Sequence, residues 1–173
     1  MDIHCLHCLT GHEHQVAEHV TRLGYESLVP LSNRVIVSDG RRKTQQRKLF
    51  PGYVFFRSDS LTADEIRFVT NSDHVIRLLR YDTGNYALTE QDAQLIAWLW
   101  QHDGVFEVSE AYKEGSRIRI KSGPLKDLEA RIVKVNLKRS SVAIQLGEGS
   151  LLGKIWCSIE MIENIREDSF QMQ

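Results

Sequence analysis

Helical periodicity runs through this chain as far as Trp100 and then stops. Three helices are predicted before that point. Val16, Val20 and Leu23 recur at helical spacing behind the capping-box pattern Thr10-Gly11-His12-Glu13, with Gly24 as the stop. Thr62-Ala63-Asp64-Glu65 opens a short helix through Ile66 and Val69, and Thr89-Glu90-Gln91-Asp92 opens a third with Ala93, Ile96, Ala97 and Trp100 on one face. After a polar stretch from Gln101 to Glu114, the apolar residues fall instead in short β-branched runs: Ile118 and Ile120, Ile132 to Val135, Val142 to Leu146. This change of period divides the chain into a first domain over 1–102, a linker over 103–113 and a second domain over 114–173.

Strands interleave with the helices in the first part. Ile3 to Leu9, Glu26 to Pro30, Arg34 to Val37, Tyr53 to Phe56 and Val75 to Arg80 all read as short strands, and Tyr53 to Phe56 is the densest aromatic one. The fold class is therefore α+β: helices on an antiparallel sheet, followed by a small five-stranded barrel that closes its own edges. Asp39-Gly40 is a turn signal. Arg41 to Lys48 has no apolar residue to bury and reads as an exposed hairpin tip or loop.

Composition excludes some classes. Among 173 residues, 42% are hydrophobic and 26% charged, with a net charge of −1, so any nucleic-acid affinity must come from local clusters. No apolar run approaches the roughly 20 residues that span a bilayer. The start Met1-Asp2-Ile3-His4 lacks signal-peptide character, and Cys5, Cys8 and Cys157 make no even disulfide framework; both fit the cytoplasm. There is no phosphate-binding loop, dinucleotide fingerprint, nucleophile elbow or H-E-x-x-H, so no enzyme and no cofactor are expected.

Three constellations remain. Arg41, Arg42, Lys43, Arg47 and Lys48 place five positive charges within eight residues, which raises local affinity for phosphate, or else form a solvated loop. Leu49-Phe50-Pro51-Gly52-Tyr53-Val54-Phe55-Phe56 puts a Pro-Gly bend before an aromatic strand. Alternation sends Tyr53 and Phe55 to one face and Val54 and Phe56 to the other, one set lining the core and the other a candidate apolar patch. Between Arg117 and Lys154, nine basic residues (Arg117, Arg119, Lys121, Lys126, Arg131, Lys134, Lys138, Arg139 and Lys154) stand against three acidic ones, while the tail from Glu160 to Asp168 is acidic. In Arg117-Ile118-Arg119-Ile120-Lys121 the cations share an outer face that suits an RNA backbone. The cluster His4, Cys5, His7, Cys8, His12, His14 has one C-x₂-C spacing, but on a strand Cys5 and Cys8 point to opposite faces, which argues against a metal site.

The basic arm and Phe50-Pro51-Gly52-Tyr53, followed by Gly115 to Ile132 with Ser122-Gly123-Pro124 at a predicted hairpin turn, resemble the NusG family of transcription elongation factors, with its polymerase-binding domain, linker and KOW barrel. The resemblance implies that Phe50, Tyr53 and Phe55, with Ile3 and His4 beside them, receive the clamp helices of RNA polymerase. It implies further that Arg41, Arg42, Lys43, Arg47 and Lys48, with His12 and His14 on the first helix, approach the nontemplate DNA strand. The KOW domain would meet nascent RNA, Rho or a ribosomal protein, and the factor would act as a monomer with no membrane role. The family carries Trp-Tyr where this chain has Ile3-His4, a glycine where it has Ala130, and an apolar or aromatic tip where it has Leu146 to Gly153. These departures point to a specialised paralogue similar to LoaP or RfaH that promotes antitermination at particular operons. The β-branched runs imply a permanent barrel rather than a helical hairpin in the second domain. A different reading is a ribosome-associated RNA-binding protein in which the KOW domain works without polymerase.

Overall fold

A computed structural model describes residues 1–162; the part of the acidic tail beyond them lies outside the described residues. The first sheet joins β1 (Asp2–Cys8), β2 (Glu26–Leu28), β5 (Tyr53–Ser58) and β6 (Val75–Leu78) in the order β2-β5-β1-β6, antiparallel throughout. β1 pairs β5 along its length, Cys5 opposite Phe55 and Leu6 opposite Val54. Between β2 and β5 the chain leaves this sheet to form a long hairpin of β3 (Leu31–Ser38) and β4 (Arg41–Lys48).

Helices cover both faces of the sheet. α1 (Glu13–Arg22) and α2 (Ala63–Thr70) lie on one side, where Val16, Val20 and Val69 pack with Leu6, Val54, Phe56 and Leu78. α3 (Glu90–Gln101) lies on the other, where Leu95, Ile96 and Leu99 pack with Ile3, Cys5, Phe50 and Phe55. Val54, Phe55 and Phe56 are all fully buried, so neither face of the aromatic strand is an exposed patch. The alternation rule sorted these residues correctly between faces but could not reveal that α3 covers the second one. Burial of aromatic area at this density contributes roughly 2–3 kcal/mol per ring.

The stretch 103–113 carries secondary structure of its own. β7 (Val105–Phe106) runs parallel to β3, and β8 (Ser109–Glu114) pairs in parallel with β12 (Lys154–Met161). With β9 (Arg117–Ser122), β10 (Ile132–Asn136) and β11 (Ser141–Gln145) this makes a curled five-stranded sheet, a half-barrel in the order β10-β11-β12-β8-β9. The second domain is thus built of strands, not a helical hairpin. Its core of Ile120, Leu125, Val142, Ile144, Ile155, Cys157 and Ile159 is continuous with the apolar side of α3.

Three local expectations need correction. Arg41–Lys48, expected as an exposed hairpin tip or loop, is exposed and part of a hairpin but forms its whole second strand, because all eight residues pair with β3 and the ladder needs no buried face. Gly123-Pro124 does not make a tight hairpin: a 3₁₀ helix spans Pro124–Arg131, and β9 and β10 are not hydrogen-bonded neighbours. Gly123 has φ +99°, and any Cβ there would sit 2.7 Å from the Cα of Ser109, so this position requires glycine. The first capping box does not form either. His12 and Thr89 make no side-chain cap, while Thr62 and Glu65 complete theirs reciprocally. In α1 and α3 the acid that would have served the helix start turns inward to bind another element.

Candidate functional site

The basic arm rises from a type I′ turn. Asp39 and Gly40 have φ of +53° and +71°, the left-handed pair that matches strand twist in a two-residue hairpin. Opposed pairs share a face, so Arg41, Lys43 and Arg47 of β4 stand on one side with Ser38, Ile36, Arg34 and Ser32 of β3. Arg41, Arg42, Lys43 and Arg47 are exposed and Lys48 is half-buried. Arg42 reaches across to an ion pair with Glu160 of β12. The remaining exposed cations form a projecting positive edge, suited to a phosphate backbone and without fixed geometry for reading bases.

The base of this arm is held rigidly. Phe50-Pro51-Gly52-Tyr53 is a type II turn: Tyr53 N–H donates to the Phe50 carbonyl at 3.1 Å, Pro51 takes the first corner and Gly52, at φ +84°, the second. Glu13, fully buried, accepts from Gly52 N–H at 2.8 Å, Gly11 N–H at 3.0 Å and Lys48 Nζ at 2.5 Å. Burial alone would raise its pKa, but Lys48 and the two amides outweigh that and hold it at about 2. One carboxylate therefore ties α1 to both the end of β4 and the Pro-Gly bend.

Of the residues that the resemblance assigns to the polymerase clamp, Phe50, Phe55, Ile3 and His4 are buried and Tyr53 is half-exposed. Phe50 meets Phe55 edge-on at 5.4 Å, and Tyr53 meets His7 at 5.4 Å. His4 packs on Phe56 at 5.2 Å, and desolvation lowers its pKa despite opposing effects of the Tyr86 backbone and Asp2. His12 hydrogen-bonds Gln15 and stacks on His74 at 4.0 Å, while His14 is exposed. Cys5 lies in the core under α3 and Cys8 in the core under α1, so the C-x₂-C pair does face opposite ways. Burial pushes their thiols and that of Cys157 up, Cys157 to about 12. Among the described residues no group of three or more His, Cys, Asp or Glu gathers as a metal site.

The second-domain cations divide by environment. Arg117, Lys121, Lys126, Lys134, Lys138, Arg139 and Lys154 are exposed. Arg119, in the middle of the predicted stripe, is neutralised by Glu129 at 2.5 Å and Glu114 at 2.9 Å. Lys126 donates to the Ile120 carbonyl and Arg131 to that of Leu146. The stripe is therefore weaker than a charge count suggests.

Two features of the domain boundary escaped the sequence reading. Asp92 at the start of α3, 3% exposed, accepts from Tyr81 Oη at 2.8 Å, Ser150 Oγ at 2.5 Å and Leu151 N–H at 3.0 Å. The loop after Leu146 is thus docked on α3, with Leu146 and Leu152 buried. Arg34 and Trp156 flank a second junction beside the hairpin. The alternation of Lys154-Ile155-Trp156 could have marked Trp156 as an outward residue, but not that it shares a junction with Arg34.

A three-layered α+β domain with a projecting basic hairpin, joined to a curled KOW-like sheet, has the architecture of a transcription factor concerned with elongation or termination. The family model described as transcription termination factor NusG matches residues 4–97. That match covers 94 of the 173 residues, and the chain belongs to the NusG family. Members of this family are non-enzymatic transcription factors that bind RNA polymerase. Among solved structures, Thermotoga maritima NusG, studied for its domain interaction, is similar at 18% identity and a TM-score of 0.49, over 91% of this chain and 93% of that one. No curated protein matches the sequence. No helix among the described residues is long and apolar enough to cross a membrane.

Proposed function

We propose that this protein is a cytoplasmic elongation factor that binds the clamp helices of RNA polymerase through its first domain and promotes processive transcription and antitermination. Its basic hairpin lies against the nontemplate DNA strand, and its KOW domain contacts nascent RNA or a partner protein such as Rho or a ribosomal protein. The departures at Ile3-His4 and in the loop after Leu146 favour a specialised paralogue acting at particular operons. The observation that carries the reading is the rigid mounting of the hairpin: Glu13, Gly52 and Lys48 fix its base to the same turn that presents Tyr53. A factor held to polymerase at Tyr53 would therefore place Arg41, Arg42, Lys43 and Arg47 at a fixed offset. Bridging polymerase and DNA would favour the processive state only by the difference in affinity for the two states.

The test is binding to core polymerase and readthrough of a terminator. Tyr53→Ala should weaken binding while the protein stays folded, because Tyr53 is only half-buried. Combined Arg41→Ala and Lys43→Ala should leave polymerase binding intact and reduce readthrough. A wild-type protein that ignores polymerase, yet binds RNA through 114–173, would replace this reading with that of a KOW-type RNA-binding accessory protein.

A further inference from the structure

Between the base of the hairpin and the outer face of the second-domain sheet lies a cleft of about 390 Å³, within the roughly 300–1,000 Å³ of ligand sites. Arg34, Arg47 and Lys48 line it from the first domain, and Arg139 and Lys154 from the second. No Asp or Glu is among its lining residues. Glu13 compensates Lys48, but Arg34, Arg47, Arg139 and Lys154 make no ion pair among the described residues. The Nε of Arg34 is buried without a hydrogen-bond partner, a donor that an incoming oxygen would satisfy. The hydroxyls of Ser32, Ser141 and Ser158 add neutral donors on the same walls.

Trp156 supplies the second chemical element. On β12 its neighbours Ile155 and Cys157 are buried at 2% and 0%, whereas Trp156 is 47% exposed and lines the cleft. A large ring left in water among cations gains by stacking on a flat partner.

We propose that this cleft binds a single-stranded polynucleotide, with the backbone phosphates held by cations of both domains and an unpaired base stacked on Trp156. A duplex does not fit the chemistry, since its base faces are already stacked. An acidic peptide would satisfy the charge but offers no regular π-face to the indole. The family resemblance implies DNA for Arg47 and Lys48, and the charge pattern suits RNA at Arg139 and Lys154, whereas all four line one cleft that exists only while the domains are together. The site does not depend on polymerase, so it stands or falls separately from the function proposed above.

The experiment uses the full chain with labelled oligouridine and oligodeoxythymidine of equal length, read by anisotropy and tryptophan fluorescence. Binding with three to five neutralised phosphates gives a log–log salt slope of roughly −2 to −3.5. Arg34→Ala and Arg139→Ala, one from each domain, should each weaken binding roughly tenfold. Trp156→Ala should cost a similar factor and remove the fluorescence quench, with Trp156→Phe retaining binding. Arg67→Ala and Arg80→Ala, exposed on the first domain and outside the cleft lining, serve as controls and should change little. Tighter binding of oligouridine supports the site with RNA as its source, and equal binding supports it with the sugar unread. Equal losses from the control variants, or a Trp156→Ala protein that binds like wild type, would overturn the proposal, as would failure to bind either oligomer.

Discussion

The Nζ of Lys48 stands 2.5 Å from Oε2 of Glu13, a carboxylate with no exposed surface. The pair joins the last residue of the basic strand to the first residue of α1, and the Gly52 amide completes the junction from the other carboxylate oxygen. Its pKa of about 2 lies below the ordinary 4.5, so the folded state binds the proton less well than the unfolded state. The stability it supplies is fully present above about pH 4.5 and is lost as pH falls towards 2, amounting to about 3 kcal/mol. Denaturant unfolding of wild type and Glu13→Gln across that window should show the gap between them closing as the solution is acidified. Parallel pH curves would show that the charge at Glu13 contributes nothing.

Phe50 should behave as core and Tyr53 as surface. Phe50 is 4% exposed and packs on Phe55, so Phe50→Ala should cost about 3–5 kcal/mol and lower the urea midpoint. Tyr53→Ala should cost less than half of that. Equal midpoints for Phe50→Ala and wild type would place the ring outside the core and make it a usable interface probe.

Gly52 is intolerant for two reasons. It holds φ +84°, and a Cβ there would sit 3.2 Å from the Cys8 carbonyl. Gly52→Ala should destabilise by about 1–3 kcal/mol, measured by thermal unfolding, and loosen the base of the hairpin. A variant with unchanged Tm would mean that the turn relaxes without loss.

Asp92 is predicted to govern docking of the 147–152 loop. Asp92→Ala removes the acceptor for Ser150 Oγ and Leu151 N–H, and native-state hydrogen exchange at Leu151 should quicken by the equivalent of about 2 kcal/mol. Unchanged protection there would show that Leu146 and Leu152 hold the loop without it.

Much of the fold was legible because it is written in local pattern. Asp39-Gly40 demanded a hairpin turn, Thr62-Ala63-Asp64-Glu65 a capped helix, and the β-branched runs after Glu114 a sheet, and each of these formed. Expectations failed where a residue's partner is distant in sequence. Glu13 and Asp92 looked like helix-start acids, yet Glu13 binds Lys48 and Gly52, 35 and 39 positions away, and Asp92 binds Ser150 and Leu151, 58 and 59 away. Arg41–Lys48 read as a hairpin tip or loop rather than a full strand because β4 draws its stability from the β3 ladder rather than from apolar content.

The sequence by itself determined the periods, the turns and the charge of each segment, because these depend on side chains only a few positions apart. It set which residues of β5 share a face and that a basic arm precedes the Pro-Gly bend. Tertiary structure alone decided what covers each face: α3 over Phe55, Glu129 over Arg119, the Leu146 loop over Asp92. It alone brought Arg34 and Arg47 to the same cleft as Arg139 and Trp156. Burial and charge compensation are properties of neighbours in space, and here the decisive neighbours are supplied by folding two domains together.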